Sequence, residues 1–254
     1  MIDPAKLIAR MEDVSLSFGE NSVLRNCSLD IVEGAITCVI GLTGAGKSTI
    51  LRLLDGLILP DAGHVYVRSQ DICHMSEEQL NRVRQSVSLA FQFSALLDSL
   101  TVGENVALPL REHTKLSESE IRKKVIDALE SVGLTAAYDK LPAELSGGML
   151  KRAGFARAIV TSPELVLYDE PTTGLDPIVT NLITDTILRL REKLNGTAVV
   201  ISHDLPSIFA MADYVAMLFE GAIIAYDTAN GIRASTNPIV AQFLEGSEVG
   251  PIPI

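Results

Sequence analysis

One short segment of the chain combines glycines with a lysine and a serine at a spacing that favours phosphate binding. It reads Gly41-Leu42-Thr43-Gly44-Ala45-Gly46-Lys47-Ser48, followed by Thr49, and fits the pattern G-x-x-x-x-G-K-[ST]. Glycines let backbone N–H groups surround a phosphate, and the following helix N-terminus adds positive potential. An apolar run at 36–40 predicts a strand before the segment, and 48–54 predict a helix after it. We therefore predict a nucleotide site in which Lys47 bridges the β- and γ-phosphates and Ser48 binds Mg²⁺.

Two adjacent acids follow a second apolar run. Residues 165–168 read LVLY, and Asp169 and Glu170 come directly after them. A buried strand that ends in two acids can present both carboxylates beside a phosphate-binding loop. In enzymes with such a loop the first acid holds Mg²⁺, and a second acid can orient or deprotonate the attacking water. We expect Asp169 to be a Mg²⁺ ligand and Glu170 to be the catalytic carboxylate of a nucleoside triphosphatase.

Strand-like apolar runs alternate with helical patterns, which indicates an α/β architecture around a largely parallel sheet. We predict strands at 9–18, 23–31, 35–40, 64–67, 88–91, 165–168, 197–201, 214–219 and 222–226. Ser76 with Gln79 and Ser117 with Glu120 are capping boxes that predict two helix starts. Because 93–160 show helical patterns only, we expect a helical insert in the α/β core.

Charge and cysteine content exclude several classes of protein. The 254 residues carry 21 basic and 32 acidic side chains, a net charge of −11, which disfavours non-specific binding of DNA or RNA. The three cysteines are odd in number and form no Cys-x-x-Cys pair, which favours a reducing compartment over a disulfide scaffold. No apolar run approaches the ~18–20 residues that span a bilayer, and the first residues show no signal-peptide core. We expect a cytoplasmic protein that binds no nucleic acid.

The segment Leu145-Ser146-Gly147-Gly148-Met149 begins a predicted helix and closely resembles LSGGQ, the signature of the ATP-binding-cassette (ABC) ATPases. The resemblance implies that the ligands are ATP and Mg²⁺. It also implies that Ser146, Gly147 and Gly148 complete the ATP site of a second copy of the chain, so that two chains enclose two ATP molecules. Met149 stands where the family usually has glutamine, which puts in doubt any contact made by that side chain.

Other elements occur in the order known for this family. By resemblance, Gln92 contacts Mg²⁺ and the attacking water, and His203 touches the γ-phosphate. Phe18 matches the aromatic residue that stacks on adenine. Asp176, in Gly174-Leu175-Asp176, matches the loop that links the two sites of a dimer; followed by Pro177, it is also a typical helix N-cap. The fold implied is that of a P-loop NTPase of the ABC type, with a mostly parallel core sheet, an antiparallel β subdomain and an inserted helical subdomain.

Three stretches resemble one branch of the family, the ATPase subunits of Mla-type (maintenance of lipid asymmetry) phospholipid transporters: 91–118, 145–159 and 243–254. The resemblance implies a peripheral subunit on the cytoplasmic face of a bacterial inner membrane. Its partners would be a second copy of itself, two membrane permease subunits, an MCE-domain lipid-binding protein and a STAS-domain protein. Phospholipid moved between inner and outer membranes would be the cargo.

Two other functions stay open from the sequence. The chain could be the ATPase of an amino-acid or lipoprotein transporter. It could also be a non-transport ABC ATPase of the iron–sulfur assembly or cell-division type. The insert is too short for the coiled coil of the chromosome-organising and DNA-repair relatives, and a single cassette argues against the translation-factor branch, which fuses two.

We expect one ATP-binding domain at 1–236, with the helical subdomain at about 93–160, followed by a C-terminal helix and extended tail at 237–254. By the resemblance to ABC transporters, the segment after Gln92, with the apolar residues 94–97, would form the surface that receives a helix of the permease. Thr101 is the predicted N-cap of the next helix. In the tail, Ile252 and Ile254 lack polar neighbours, and we expect them to dock on the second ATPase chain or on a partner subunit.

Overall fold

The computed structural model describes residues 6–253 and shows an α/β protein. In this part of the chain the strands are β1 (Leu7–Phe18), β2 (Asn21–Val32), β3 (Ile36–Ile40), β4 (Ala62–Val67), β5 (Gln70–Asp71), β6 (Val87–Ala90), β7 (Leu165–Asp169), β8 (Thr197–Ile201), β9 (Tyr214–Phe219) and β10 (Ala222–Thr228). The helices are α1 (Lys47–Leu54), α2 (Glu77–Arg84), α3 (Val102–His113), α4 (Glu118–Ser131), α5 (Gly147–Ile159), α6 (Pro177–Leu194), α7 (Leu205–Met211), α8 (Ala229–Arg233) and α9 (Pro238–Glu245).

The strands form two sheets. The larger sheet has the order β10-β9-β3-β8-β7-β6, in which the strands from β9 to β6 are parallel and β10 is an antiparallel edge strand. The smaller sheet, β2-β1-β4-β5, is antiparallel. All nine predicted strands are present. The two-residue strand β5 was not predicted, because two residues are too few to show a period of two.

The central strand β3 is buried on both faces and separates two apolar cores. Ile36, Cys38 and Ile40 belong to one core, which includes the helices of the insert. Val39 points to the other face and joins a core with α1 and the antiparallel sheet. Because the strand is fixed on both sides, the loop that follows it begins from a rigid point.

The predicted helical insert is present: between 93 and 160 the described chain forms α3, α4, α5 and short 3-10 turns, with no strand. Ser76, Thr101 and Ser117 cap their helices as predicted, each accepting a hydrogen bond from the amide three residues on and each completed by a Glu or Gln side chain that returns to the cap. Among the helices of residues 6–253, none is both long and apolar enough to cross a bilayer.

The C-terminal tail packs on its own chain, which differs from the expected docking on another subunit. Ile252 is 6% exposed and belongs to the same core as Val240 of α9. The side chain of Gln242 holds it: Gln242 Oε1 accepts from the Ile252 amide at 2.7 Å, and Gln242 Nε2 donates to the Ile252 carbonyl oxygen at 3.3 Å. The sequence analysis missed this contact because a buried glutamine that pairs with main chain leaves no periodic signal. Ile254 lies outside the described residues.

This packing predicts a stability effect within the single chain. Ile252→Ala should lower the free energy of unfolding by ~1–3 kcal/mol, because it removes a buried apolar side chain. Val249→Ala is the matched control, since Val249 lies in the same tail but is 86% exposed. Urea unfolding of the two purified variants measures the difference. Equal midpoints for Ile252→Ala and Val249→Ala would contradict the packing.

Candidate functional site

The glycine-rich loop connects β3 to α1, and two of its glycines are required by close contacts. Gly41 adopts φ 148°, and a Cβ there would collide with the carbonyl of Leu218 on β9. Gly46 adopts φ 99° as the N-cap of α1, and a Cβ there would lie 2.7 Å from Val23 Cγ1. The backbone of the loop is thereby pressed against the sheet, as a phosphate-binding loop requires.

Lys47 and Ser48, at the start of α1, point into the site. The Lys47 ammonium group donates to the carbonyl oxygens of Gly41 and Leu42, both at 2.9 Å. Desolvation lowers the pKa of Lys47, and the nearby carboxylates of Glu170 and Asp169 oppose that shift. The cation is thus held inside the loop, where a phosphate would replace the carbonyls as its partner.

Ser48 Oγ donates to Asp169 Oδ1 at 3.0 Å, a contact between residues 121 positions apart. Burial raises the pKa of Asp169, and the hydrogen bond from Ser48 counteracts the shift. These two hard oxygen donors fit Mg²⁺, which usually takes one or two protein ligands and completes its shell with water and substrate phosphates. Residues 6–253 contain no group of three or more His, Cys, Asp or Glu side chains that could hold a metal ion.

Three side chains converge on the Glu170 carboxylate. Gln92 Nε2 and Thr173 Oγ1 donate to Oε2 at 3.1 and 3.0 Å, and His203 Nδ1 lies 3.2 Å from Oε1. The structure therefore brings together Gln92, Glu170 and His203, which the sequence analysis selected, and adds Thr173, which it missed. The carboxylate is held in one orientation at the end of β7, beside Asp169.

Gln92 contacts Glu170 and not the Ser48–Asp169 pair: among the described residues no hydrogen bond joins Gln92 to either of those two. Its amide donates to the carboxylate of Glu170. That Gln92 also contacts Mg²⁺ stays a prediction.

The signature segment is positioned by the start of α5. Ser146 caps this helix, accepting from the Met149 amide at 3.4 Å, and both Ser146 and Gly147 are exposed. Gly148 is buried against Val179 of α6, where a Cβ would lie 2.5 Å from Val179 Cγ1. The side chain of Met149 packs on the apolar core. Methionine at this position thus has a local packing role, while the serine hydroxyl and the helix N-terminus face outward.

The two remaining predicted contacts lie at the surface. Phe18 is 53% exposed at the end of β1, where it pairs with Asn21 across the hairpin. Asp176 caps α6 as predicted, accepting from the amides of Ile178 and Val179 at 2.9 and 3.0 Å. Ile178 is 82% exposed, so an apolar side chain is uncovered beside this loop.

A groove of about 480 Å³ separates the core from the helical insert. Its lining includes Asp55 and Leu57 after α1, residues between 84 and 91, Pro109 and His113 at the end of α3, and Arg157 of α5. Leu57 and Phe91, which line the groove, are 47% and 42% exposed. Phe93 and Leu97, in the turn that follows Phe91, are 87% and 50% exposed. Ser94, which was grouped with the predicted apolar surface, is buried instead, at 5% exposed.

The family description that matches the chain is "ABC transporter", over residues 24–173. The chain is 42% identical over 243 residues to an Escherichia coli (strain K12) protein named "Intermembrane phospholipid transport system ATP-binding protein MlaF", covering 96% of this chain and 90% of that protein. It is 36% identical over 249 residues to a Mycobacterium leprae protein named "Probable ribonucleotide transport ATP-binding protein mkl", covering 98% and 72%. The solved dimer of the ATP-binding cassette MJ0796, in a post-hydrolysis state bound to ADP and Pi, is similar with a TM-score of 0.80 and 29% identity, covering 87% and 98%.

Proposed function

The chain belongs to the ABC transporter family of ATPases, and on that premise we propose that it hydrolyses ATP to energise phospholipid transport between two membranes. The observation that carries the chemistry is the convergence of Gln92, Thr173 and His203 on Glu170, next to the Ser48–Asp169 pair and Lys47. The cargo assignment is supported by the 42% identity, over 96% of the chain, to a protein named for phospholipid transport.

In the proposed reaction, water attacks the γ-phosphorus of ATP, the bond to the β-γ bridging oxygen breaks, and ADP and phosphate leave. Lys47 and the amides of residues 41–49 bind the phosphates, and Phe18 stacks on adenine. Ser48 and Asp169 would hold Mg²⁺, which would supply charge stabilisation at the phosphate oxygens. Glu170 orients the water and accepts its proton. His203 contacts the γ-phosphate, and Gln92 contacts the attacking water, so both residues respond to bound ATP. Catalysis is then mainly positioning and electrostatic stabilisation.

We propose that the site is completed by a second copy of the chain. Ser146 and Gly147 are exposed at the N-terminus of α5, where they can meet a phosphate bound to another molecule. Ile178, 82% exposed beside Asp176, provides an apolar contact for the same interface. The similar cassette MJ0796 is a dimer.

The wider assembly we propose has two permease subunits, an MCE-domain lipid-binding protein and a STAS-domain protein, with this chain peripheral on the cytoplasmic face of a bacterial inner membrane. Co-expression with the genes that flank its own, followed by purification and mass spectrometry of proteins and extracted lipids, tests the assignment. We expect a permease, an MCE-domain protein and bound phospholipid. A complex without any membrane protein would favour a non-transport ATPase, and a permease carrying amino acids, lipoprotein or ribonucleotide would refute the phospholipid cargo.

The exposed apolar surface around Leu97 is the proposed docking site of a permease helix. Leu97→Asp should reduce co-purification of the permease by ~10-fold or more, because an unpaired carboxylate would be buried at the contact. Leu141→Asp is the control, since Leu141 is a comparably exposed leucine, 42%, that lies outside residues 91–97. Both variants should keep the wild-type unfolding midpoint. A folded Leu97→Asp chain that retains its permease would place the docking site elsewhere.

A further inference from the structure

Lys151 of α5 is 9% exposed, although lysine usually stays at the surface. Its ammonium group donates to two main-chain carbonyl oxygens, that of Gln92 and, at 3.3 Å, that of Glu170. The side chains of those same two residues are hydrogen bonded to each other at 3.1 Å. Lys151, Gln92 and Glu170 thus form a closed ring of contacts. Lys151 binds the main chain of the other two residues, and the Gln92 amide binds the Glu170 carboxylate.

The main chain that Lys151 contacts is in an unfavourable conformation. Glu170 adopts φ 46°, the left-handed region that L-residues with a Cβ disfavour. Its amide donates to the Ile201 carbonyl oxygen at 2.9 Å, and its own carbonyl oxygen accepts from Lys151. The conformation that directs the carboxylate toward Gln92 and His203 is therefore fixed from both sides of the residue.

The same helix holds the rest of the turn after Gln92. Arg157 Nη2 and Nη1 donate to the carbonyl oxygens of Ser94 and Ala95 at 2.8 and 2.6 Å. Gly154 lies against Ser94, where a Cβ would come within 3.2 Å of the serine Cβ. Ser94 and Ala95 are themselves left-handed, at φ 60° and 48°. One face of α5 thus fixes residues 92–95, and among these anchors Lys151 is the residue that also reaches Glu170.

We propose that Lys151 is a positioning residue, which sets the separation and orientation of the Gln92 and Glu170 side chains by holding the main chain of both. The inference rests on the proposed function, in which Glu170 orients the attacking water. Because Ser146 caps the start of α5, movement of this helix when a second chain closes on ATP also moves Lys151. Lys151 thereby links closure at the signature segment, residues 145–149, to the relative position of the Gln92 and Glu170 side chains.

The test compares Lys151→Met with Lys151→Arg in the full-length chain purified with its co-expressed partners. Methionine keeps length and apolar contacts but has no donor. We expect kcat to fall ~10–100-fold, as for a misplaced catalytic group, while ATP affinity stays within about twofold of wild type. Lys151→Arg, which keeps donors, should recover most of the rate. Arg152→Met is the matched control, because Arg152 is the next residue of α5 and donates to the Val132 carbonyl oxygen at 2.7 Å, away from Gln92 and Glu170.

Two further measurements separate positioning from a merely structural role. Amide hydrogen exchange of residues 92–96 and 170–173 in nucleotide-free protein should rise in Lys151→Met and not in Arg152→Met. In a Gln92→Ala background, Lys151→Met should reduce kcat by much less than in the wild type, because the two changes remove the same arrangement. Unchanged kcat in Lys151→Met, or fully additive effects with Gln92→Ala, would overturn the inference. A wild-type complex that hydrolyses no ATP would instead refute the proposed function.

Discussion

The Glu170→Gln variant will bind ATP like the wild-type chain and release phosphate ~10²–10⁴-fold more slowly. Glutamine has nearly the same size as glutamate, so the turn after β7 can be kept. It cannot accept a proton from water at neutral pH, and its amide presents a donor where Gln92 Nε2 now donates to Glu170 Oε2 at 3.1 Å. The substitution thus removes the base and one of the two oxygen acceptors that the carboxylate now offers to Gln92, Thr173 and His203.

Steady-state phosphate release with partners present measures the rate, and equilibrium binding of a fluorescent ATP analogue measures affinity. Glu164→Gln is the matched control, because Glu164 lies just before β7, at the end of the strand away from the site, and pairs with Arg68 at the surface. It should hydrolyse ATP at the wild-type rate. Turnover of Glu170→Gln near the wild-type value would remove Glu170 from the catalytic role, whatever the affinity.

The parts of the site that could be predicted from the sequence are those encoded locally. The loop at 41–48 needs glycines next to a lysine and serine, and β7 needs an apolar run before its two acids; both patterns are short and contiguous. Parallel neighbours in the sheet then bring the ends of β3, β7 and β8 to one edge, so that Ser48, Asp169 and His203 meet there. Capping boxes at Ser76 and Ser117 were predictable for the same reason, since the partners are three residues apart.

What could not be predicted depends on pairs that are distant in sequence or on main-chain geometry. Lys151 donates to the main-chain carbonyl oxygens of Gln92 and Glu170, which are 59 and 19 residues away. Every residue has a main-chain carbonyl, so the sequence does not indicate which of them a lysine will contact. The left-handed conformation of Glu170, at φ 46°, could not be predicted either. Glycine is the residue expected in that conformation, and a glutamate gives no indication of it. The docking of the tail was mispredicted because it depends on Gln242, which is 5% exposed and pairs with the main chain of Ile252, and nothing in the sequence marks that contact.

Lys47→Ala is expected to weaken nucleotide binding itself, raising the dissociation constant for ATP by ~10–100-fold, the loss that follows from removing a charged hydrogen bond. Lys47 is 6% exposed and its ammonium group donates to the carbonyl oxygens of Gly41 and Leu42, so the charge is already inside the loop before nucleotide arrives. A phosphate that takes the place of these carbonyls gains a cation that is already largely buried.

The effect must be separated from damage to the loop, because alanine also leaves two carbonyls without their donor. Lys47→Met retains the apolar stem of the side chain, and Lys123→Ala removes an exposed lysine of α4 and controls for net charge. If the cation binds phosphate, Lys47→Met and Lys47→Ala should lose ATP affinity together, and adenosine, which has no phosphate, should bind all variants equally. Isothermal titration at fixed Mg²⁺ concentration gives these constants. An ATP dissociation constant for Lys47→Met equal to that of Lys123→Ala would contradict phosphate binding by Lys47, since the loop would then recognise the nucleotide through its amides alone.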